Sequence, residues 1–302
     1  MRNTFAEVLS KLMESDKNTV LLTGDLGWGS FDKIRDRFPE QFFNMGLAEQ
    51  AMVGVSGGLA KTGKNVFVYS IIPFFLYRAF EQVRNDVCYP DLSVRFVGTG
   101  AGLAYGEAGS THQPFEDLRI AGALPNMVVL SPSGPNEVRT LFDQMQKIKH
   151  PIYMRLGRNN EPILHNKYKY IKLGKALRLV EGENILIVST GVVTKAALDA
   201  AKILNKKENT AEVLEIHTFK PFDEEAVKHA AEGKTLVVTV EDSTGALEER
   251  VAKTLISTGK PYKTLAFKIP DRFTHISASR NYLLEHYGIN AKNIVERVKR
   301  MI

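Results

Sequence analysis

Short apolar runs rich in β-branched residues alternate with longer helix-compatible stretches along the 302-residue chain, and this rhythm narrows the fold more than any other feature. The first runs are Thr19-Val20-Leu21-Leu22-Thr23, Phe42-Phe43-Asn44, Val66-Phe67-Val68-Tyr69, Val94-Arg95-Phe96-Val97, Met127-Val128-Val129-Leu130 and Ile152-Tyr153-Met154-Arg155. They are apolar without clean alternation, as expected of strands covered on both faces. Residues 5–15, 48–62, 73–86, 115–121 and 136–147 lie between them with helix-compatible patterns. Strand and helix in turn imply a mostly parallel sheet with helices on both sides.

The rhythm stops between residues 159 and 175, where Asn159, Asn160, Pro162 and several lysines and tyrosines show no sustained period. A second series follows, with strands expected at 185–188, 211–216, 236–240 and 265–267, and helices at 194–204, 224–231 and 245–257. Residues 282–302 read as two short helices broken at Gly288. The expectation is an α/β chain of two doubly wound domains, residues 1–165 and a smaller 175–302.

Composition removes several function classes. The net charge is +6, but the charges are scattered. The one dense basic stretch, Glu296-Arg297-Val298-Lys299-Arg300, alternates in sign and reads as a solvated helix face, so neither nucleic acid nor membrane is expected as a partner. Cys88 is the only cysteine, which leaves no disulfide framework or cysteine metal site within the chain. No signal-like apolar region follows Met1 and no stretch is apolar for long enough to span a bilayer, so a cytoplasmic enzyme is expected. Walker-type loops, an early Gly-x-Gly-x-x-Gly, a Gly-x-Ser-x-Gly elbow and His-Glu-x-x-His are all missing.

Two glycine-punctuated stretches stand out. In Phe43-Asn44-Met45-Gly46-Leu47-Ala48-Glu49-Gln50 a strand ends, Gly46 turns and a helix starts. That helix carries Gly54, Gly57 and Gly58, a cost in helix stability best explained by close packing against the backbone. Glu49 falls in the first turn of this otherwise apolar helix, either as a desolvated functional carboxyl or as a simple partner of the helix dipole. The second stretch, Gly98-Thr99-Gly100-Ala101-Gly102-Leu103-Ala104-Tyr105-Gly106-Glu107-Ala108-Gly109-Ser110-Thr111-His112-Gln113-Pro114, follows a strand where open α/β sheets bind ligands. Taken alone, it reads first as a flexible loop with an incidental histidine.

Together with Gly24-Asp25-Leu26-Gly27, Arg78-Ala79-Phe80-Glu81-Gln82-Val83-Arg84 and Leu124-Pro125-Asn126-Met127, these stretches resemble the pyrimidine-binding domain of the transketolase family over most of residues 1–160. Residues 175–302 resemble the family's C-terminal domain through Glu215-Ile216-His217-Thr218-Phe219-Lys220-Pro221-Phe222-Asp223 and Leu283-Leu284-Glu285-His286-Tyr287-Gly288. The resemblance implies thiamine diphosphate as cofactor, with the carbanion chemistry carried by the cofactor itself. It makes Glu49 the catalytic acid that hydrogen-bonds N1′ of the aminopyrimidine. Phe75 is its first choice for the aromatic side chain against that ring, with Phe74 next, and at least one of the pair is expected to be ordinary core. Arg78 is expected to face the same pocket, and Asp25 either to approach the cofactor from the strand end or to cap the following turn. His112, with Gln113 beside it, matches a Thr-His-Gln-Pro motif near the reacting substrate carbons. Arg158 matches an arginine that binds substrate phosphate.

The resemblance also has gaps. Transketolases carry a histidine where this chain has Gly100 and an acid where it has Ala108, both of which read the sugar. An atypical sugar or sugar phosphate is therefore expected. The family's Gly-Asp-Gly motif, which holds Mg²⁺ and the diphosphate, is missing, so no metal ligands are expected in this chain. A separate diphosphate-binding N-terminal subunit is expected to supply them, most simply in an α2β2 assembly. The alternatives are a decarboxylating carboligase or 2-oxo acid dehydrogenase E1 β-type subunit, and a non-catalytic scaffold on the same fold.

Overall fold

The computed structural model describes residues 1–206 and 210–302. Its first half contains helix α1 (Arg2–Ser15), strand β1 (Thr19–Thr23), α2 (Asp32–Arg37), β2 (Phe42–Asn44), α3 (Glu49–Lys61) and β3 (Asn65–Ile71). A helical segment follows in which two π-type turns, Pro73–Tyr77 and Val83–Cys88, flank the short α4 (Phe80–Gln82). Then come β4 (Val94–Thr99), α5 (Asp117–Ala123), β5 (Val128–Leu130), α6 (Pro135–Met145) and β6 (Ile152–Leu156).

Both faces of this sheet are covered, which is why its strands are apolar without alternation. On β3, Phe67 and Tyr69 pack with Phe5, Leu9 and Phe142 on one side. Val66 and Val68 pack with Met52, Val53, Phe75 and Val83 on the other. Successive side chains of a strand point to opposite faces, so a two-sided core needs apolar residues at every position. Each fully buried side chain of this size contributes about 1.5–3 kcal/mol.

The second half contains β7 (Leu177–Val180), β8 (Ile185–Ser189), α7 (Thr194–Leu204), β9 (Ala211–Glu215), β10 (Thr218–Lys220), α8 (Glu224–Ala231), β11 (Leu236–Val240), α9 (Ala246–Ile256), β12 (Thr264–Phe267), α10 (Arg280–His286) and α11 (Ala291–Lys299). Its five-stranded sheet runs β12-β11-β8-β9-β7, parallel except for β7. The chain does not stay within this sheet. The strand expected to reach Ile216 ends at Glu215, and β10 crosses over to pair antiparallel with β5. The first sheet therefore has seven strands, ordered β10-β5-β6-β4-β3-β1-β2. Fully buried Arg155 on β6 makes a second tie, reaching Asp117 at 2.8 Å and Asp242, just past β11, at 3.2 Å. Among the described residues no helix is long and apolar enough to cross a membrane.

Candidate active site

The carboxyl ends of β1 and β3 place the first group. β1 ends at Thr23, Gly24 follows, and α3 begins beside it at Glu49. Gly46 enters α3 at φ +67, a conformation that side chains resist. Glu49 is completely buried, and its Oε2 accepts a hydrogen bond from Arg78 Nη1 at 2.5 Å. Its other oxygen, Oε1, is buried with no hydrogen-bond partner among the described residues, and Ser70 Oγ at the end of β3 is in the same condition. A Cβ placed on Gly24 would lie 3.4 Å from Glu49 Oε1 and 3.5 Å from Ser70 Oγ, so two unsatisfied polar atoms flank a side-chain-free backbone. Burying such atoms costs about 1–3 kcal/mol apiece unless a ligand satisfies them.

The glycines of α3 divide by what they touch. A Cβ on Gly57 would come within 2.8 Å of the Asp86 carbonyl oxygen, so the helix rests directly on the π-turn segment, as expected. Gly58 has no atom within 4 Å of its Cβ position and is exposed, so no close packing explains it.

The π turn Pro73–Tyr77 decides which aromatic faces the site. Its wide hydrogen bond runs from Arg78 N to Pro73 O at 3.3 Å. Phe75 points into the core, fully buried, stacked on Phe96 at 5.7 Å and tilted against Tyr153 at 6.0 Å. These contacts occupy the Phe75 ring, and Gly98 lacks a side chain to make room for it. Half-buried Phe74 is the ring on the open side. The Arg78 guanidinium lies over it at 5.0 Å, and His112 meets it edge-on at 5.1 Å. The contacts continue: His112 is 6.4 Å from the Tyr105 ring, and the Arg158 guanidinium covers Tyr105 at 5.0 Å. Glu49, Arg78, Phe74, His112, Tyr105 and Arg158 thus form one continuous line of contacts.

The glycine-rich loop that carries His112 is clamped rather than free. Gly102 lies against Asp242 and Gly106 against the Ala278 carbonyl, each too close to admit a side chain, and Ser110 Oγ donates to Thr274 O. The Thr111 hydroxyl sits 2.9 Å from His112 Nδ1 and anchors the ring. Gln113 is buried, and its Nε2 donates to Gly106 O at 3.1 Å, so it braces the loop. Asp25 is exposed in the left-handed region at φ 55, and its Oδ1 accepts from Asn44 Nδ2 at 2.9 Å. That pair fixes the turn after β1 and leaves Asp25 outside the line of contacts.

Tyr105 escaped the sequence reading. A Cβ on Gly100 would lie 2.3 Å from Tyr105 Cδ2, so the tyrosine ring fills the space a side chain at 100 would need. The tyrosine is visible in the loop sequence, but only the folded loop puts it over Gly100. A second polar group was also unforeseen. Glu137, His165 and Glu215 bring their ligand-type atoms within 4.8 Å of one another at the junction of the two halves, with His165 Nε2 2.5 Å from Glu137 Oε1 and 3.5 Å from Glu215 Oε2. Burial lowers the His165 pKa, but the two carboxylates outweigh it and carry the ring up to about 9. Lys167 N lies 3.1 Å from His165 Nδ1, which places the ring against the segment linking the halves.

Comparison with known proteins covers both halves of the chain. The family model of the transketolase pyrimidine binding domain matches residues 1–162, and that of the transketolase C-terminal domain matches residues 174–294. A transketolase C-terminal section of Methanocaldococcus jannaschii is 39% identical, over 99% of this chain and 95% of the relative. An apulose-4-phosphate transketolase subunit of Phocaeicola vulgatus is 32% identical, over 97% of this chain and 94% of its own length. Among solved structures, a split gene transketolase described as an inactive β4 tetramer matches with a TM-score of 0.87 at 34% identity, covering 99% of this chain and 97% of that one.

Proposed function

The chain belongs to the transketolase family, and from that premise we propose that it is the pyrimidine-binding subunit of a thiamine diphosphate enzyme transferring a two-carbon ketol unit between sugars or sugar phosphates. The observation that carries the reading is Glu49: a fully buried carboxyl with one oxygen held by Arg78 and the other orphaned beside Gly24 and Ser70. An aminopyrimidine fits there, since its ring nitrogen offers the hydrogen bond that Oε1 lacks and its flat face suits the open side of Phe74.

Thiamine diphosphate, when bound, supplies the carbon nucleophile that takes up the ketol unit and hands it on. The chain's own residues do the rest. Glu49 Oε1 holds or accepts the proton at the ring nitrogen. Arg78 fixes the other oxygen, so the carboxyl cannot rotate away. His112, anchored at Nδ1 by Thr111, offers Nε2 to a substrate oxygen as hydrogen-bond donor or proton carrier. Phe74 walls the ring between them and keeps water from that face.

Arg78 remains 48% exposed and Phe74 half-exposed, so closing this site calls for further surface from a partner. A diphosphate-binding transketolase subunit that holds Mg²⁺ meets that need, most simply in an α2β2 complex. Relatives described as a C-terminal section and as one subunit of a transketolase support a split arrangement. The place of Gly100 taken over by Tyr105, and Ala108 where an acid is usual, support an atypical sugar. A cytoplasmic setting suits Cys88, buried and unpaired.

The test is reconstitution. Mixed with a diphosphate-binding partner, the chain is expected to catalyse ketol transfer, and Glu49→Gln is expected to abolish it. Carbon dioxide release from 2-oxo acids instead would indicate a decarboxylating carboligase. Undiminished turnover by the Glu49→Gln complex would overturn the assignment.

A further inference from the structure

Tyr105 follows His112 in the line of contacts that starts at Glu49. Its backbone is pinned on both sides: Ala108 N donates to Tyr105 O at 2.9 Å, and Gly106 N to Leu103 O at 3.1 Å. Gly106 in turn rests on the C-terminal half, where a Cβ would lie 2.4 Å from the Ala278 carbonyl oxygen. The side chain is held as well. The Arg158 guanidinium covers one face of the ring at 5.0 Å. One ring edge fills the space above Gly100, whose Cβ position lies 2.3 Å from Cδ2 and 2.5 Å from Cε2. A half-buried ring fixed on an edge and a face is a wall of the site, with little freedom to swing aside.

The direction of its hydroxyl decides what this wall offers. Thr99 Oγ1 gives its one proton to Gly157 O at 2.9 Å, so in its 3.4 Å contact with the Tyr105 hydroxyl it can only accept. The Tyr105 O–H therefore points inward, toward a threonine that is 2% exposed. What Tyr105 leaves at the open side is ring carbon. His112 stands nearly perpendicular to that ring, at 82° and 6.4 Å between centroids. The two rings form a corner that is polar on the imidazole side and apolar on the tyrosine side.

We infer that Tyr105 determines specificity: with the reacting carbons at His112, its ring carbons meet the next carbon of the substrate chain and favour a sugar that is deoxygenated there. This deepens the proposed function and rests on it for the ketol transfer. A hydroxyl pressed against ring carbons gives up its water and gains no partner, whereas a CH₂ group gains contact and loses no hydrogen bond. One such group in an apolar site discriminates by about tenfold to a hundredfold.

Ribose-5-phosphate and 2-deoxyribose-5-phosphate differ only in the hydroxyl beside the aldehyde carbon, and they test the wall in the complex with the diphosphate-binding partner. The native complex is expected to show kcat/KM at least tenfold higher for the deoxy sugar. Tyr105→Phe is expected to keep that ratio, because the hydroxyl faces Thr99 rather than the substrate. Tyr105→Ser and Tyr105→Gln bring hydrogen-bonding groups to the wall, and each is expected to lower the ratio at least tenfold. Comparing ratios between variants cancels the different open-chain fractions of the two sugars. The same ratio in every variant, or a Tyr105→Phe ratio that falls with the polar variants, overturns the inference; if one polar variant fails to fold, the other decides. Calorimetry on the same complexes without a ketol donor reads the ratio of affinities in the absence of turnover, with the same pattern expected. A complex that binds the sugars in this pattern but transfers no ketol unit would sink the proposed activity and leave the role of Tyr105 standing. Binding of neither sugar overturns that role.

Discussion

Arg78 Nη1 lies 2.5 Å from Glu49 Oε2, joining a guanidinium that is about half exposed to a carboxyl that is fully buried. The pair leaves Oε1 as the oxygen of Glu49 that has no hydrogen-bond partner among the described residues. Arg78 therefore acts as a positioning residue. Arg78→Ala in the reconstituted complex is expected to lower kcat by roughly a hundredfold through misplacement of the carboxyl, with little change in substrate KM. Arg78→Lys should recover part of the loss, because an ammonium reaches the same oxygen but lacks the planar fork. Equal falls for both variants, tracking a loss of folded protein, would reduce Arg78 to a structural role.

Adjacent aromatics should fail in different ways. Phe75 is packed on Phe96 and Tyr153, so Phe75→Ala is expected to destabilise the isolated chain by about 3–5 kcal/mol. Phe74→Ala should leave the denaturation midpoint almost unchanged and weaken cofactor binding to the complex by roughly 1–3 kcal/mol through lost stacking. Denaturant melts beside cofactor titrations distinguish the two. The opposite pattern would mean that Phe75 is the stacking residue after all.

Two neighbouring glycines of α3 should respond with opposite signs. A methyl group at Gly57 would strike the Asp86 carbonyl oxygen, and Gly57→Ala is expected to cost about 1–3 kcal/mol by forcing the π-turn segment away. Gly58 faces open space, and Gly58→Ala should gain about 0.5–1 kcal/mol from helix propensity. Thermal melts of the isolated chain check both signs.

His217 gives stability a defined pH window. It is fully buried between β9 and β10, and burial pushes its imidazole down to about 4 from an ordinary 6.5, with Glu137 opposing the shift and His165 reinforcing it. Between pH 6.5 and 4 the unfolded chain takes up a proton that the folded chain refuses. Stability present above 6.5 is therefore lost as pH falls through that window, by on the order of 3 kcal/mol for the full shift. Denaturant midpoints measured across the window should fall faster for the native chain than for His217→Gln. Parallel curves would contradict the assignment.

Periodicity located the elements better than it located the site. Thr19–Thr23, Leu236–Val240, Thr194–Leu204 and Glu224–Ala231 lie where the apolar pattern placed them, because burial on one stripe or both faces writes itself into local sequence. Three short elements did not announce themselves. α2 buries only Ile34 in a charged stretch, β7 is mostly exposed or half-exposed, and β10 is three residues long. The crossing of β10 to β5 is a long-range pairing that no local period encodes. At the site, Glu49 and His112 stood out because a carboxyl opens an apolar helix and a histidine sits in a run of glycines. Which of Phe74 and Phe75 lies on the open side depends on the wide hydrogen bond from Arg78 N to Pro73 O, which rotates the face of the turn without changing composition. Arg2 N donates to Arg158 O at 3.2 Å, and Arg280 joins them at one cavity where the entry to α10 rests on Gly106, contacts that no local pattern encodes.

The most direct measurement is the rate of deuterium exchange at C2 of thiamine diphosphate bound to the complex of this chain with its diphosphate-binding partner, compared between the native chain and Glu49→Gln. In the proposed role Glu49 acts on the cofactor itself, so slowing by about 10²–10⁴-fold is expected in the variant while cofactor remains bound. Exchange at the native rate in a Glu49→Gln complex that holds cofactor would contradict it.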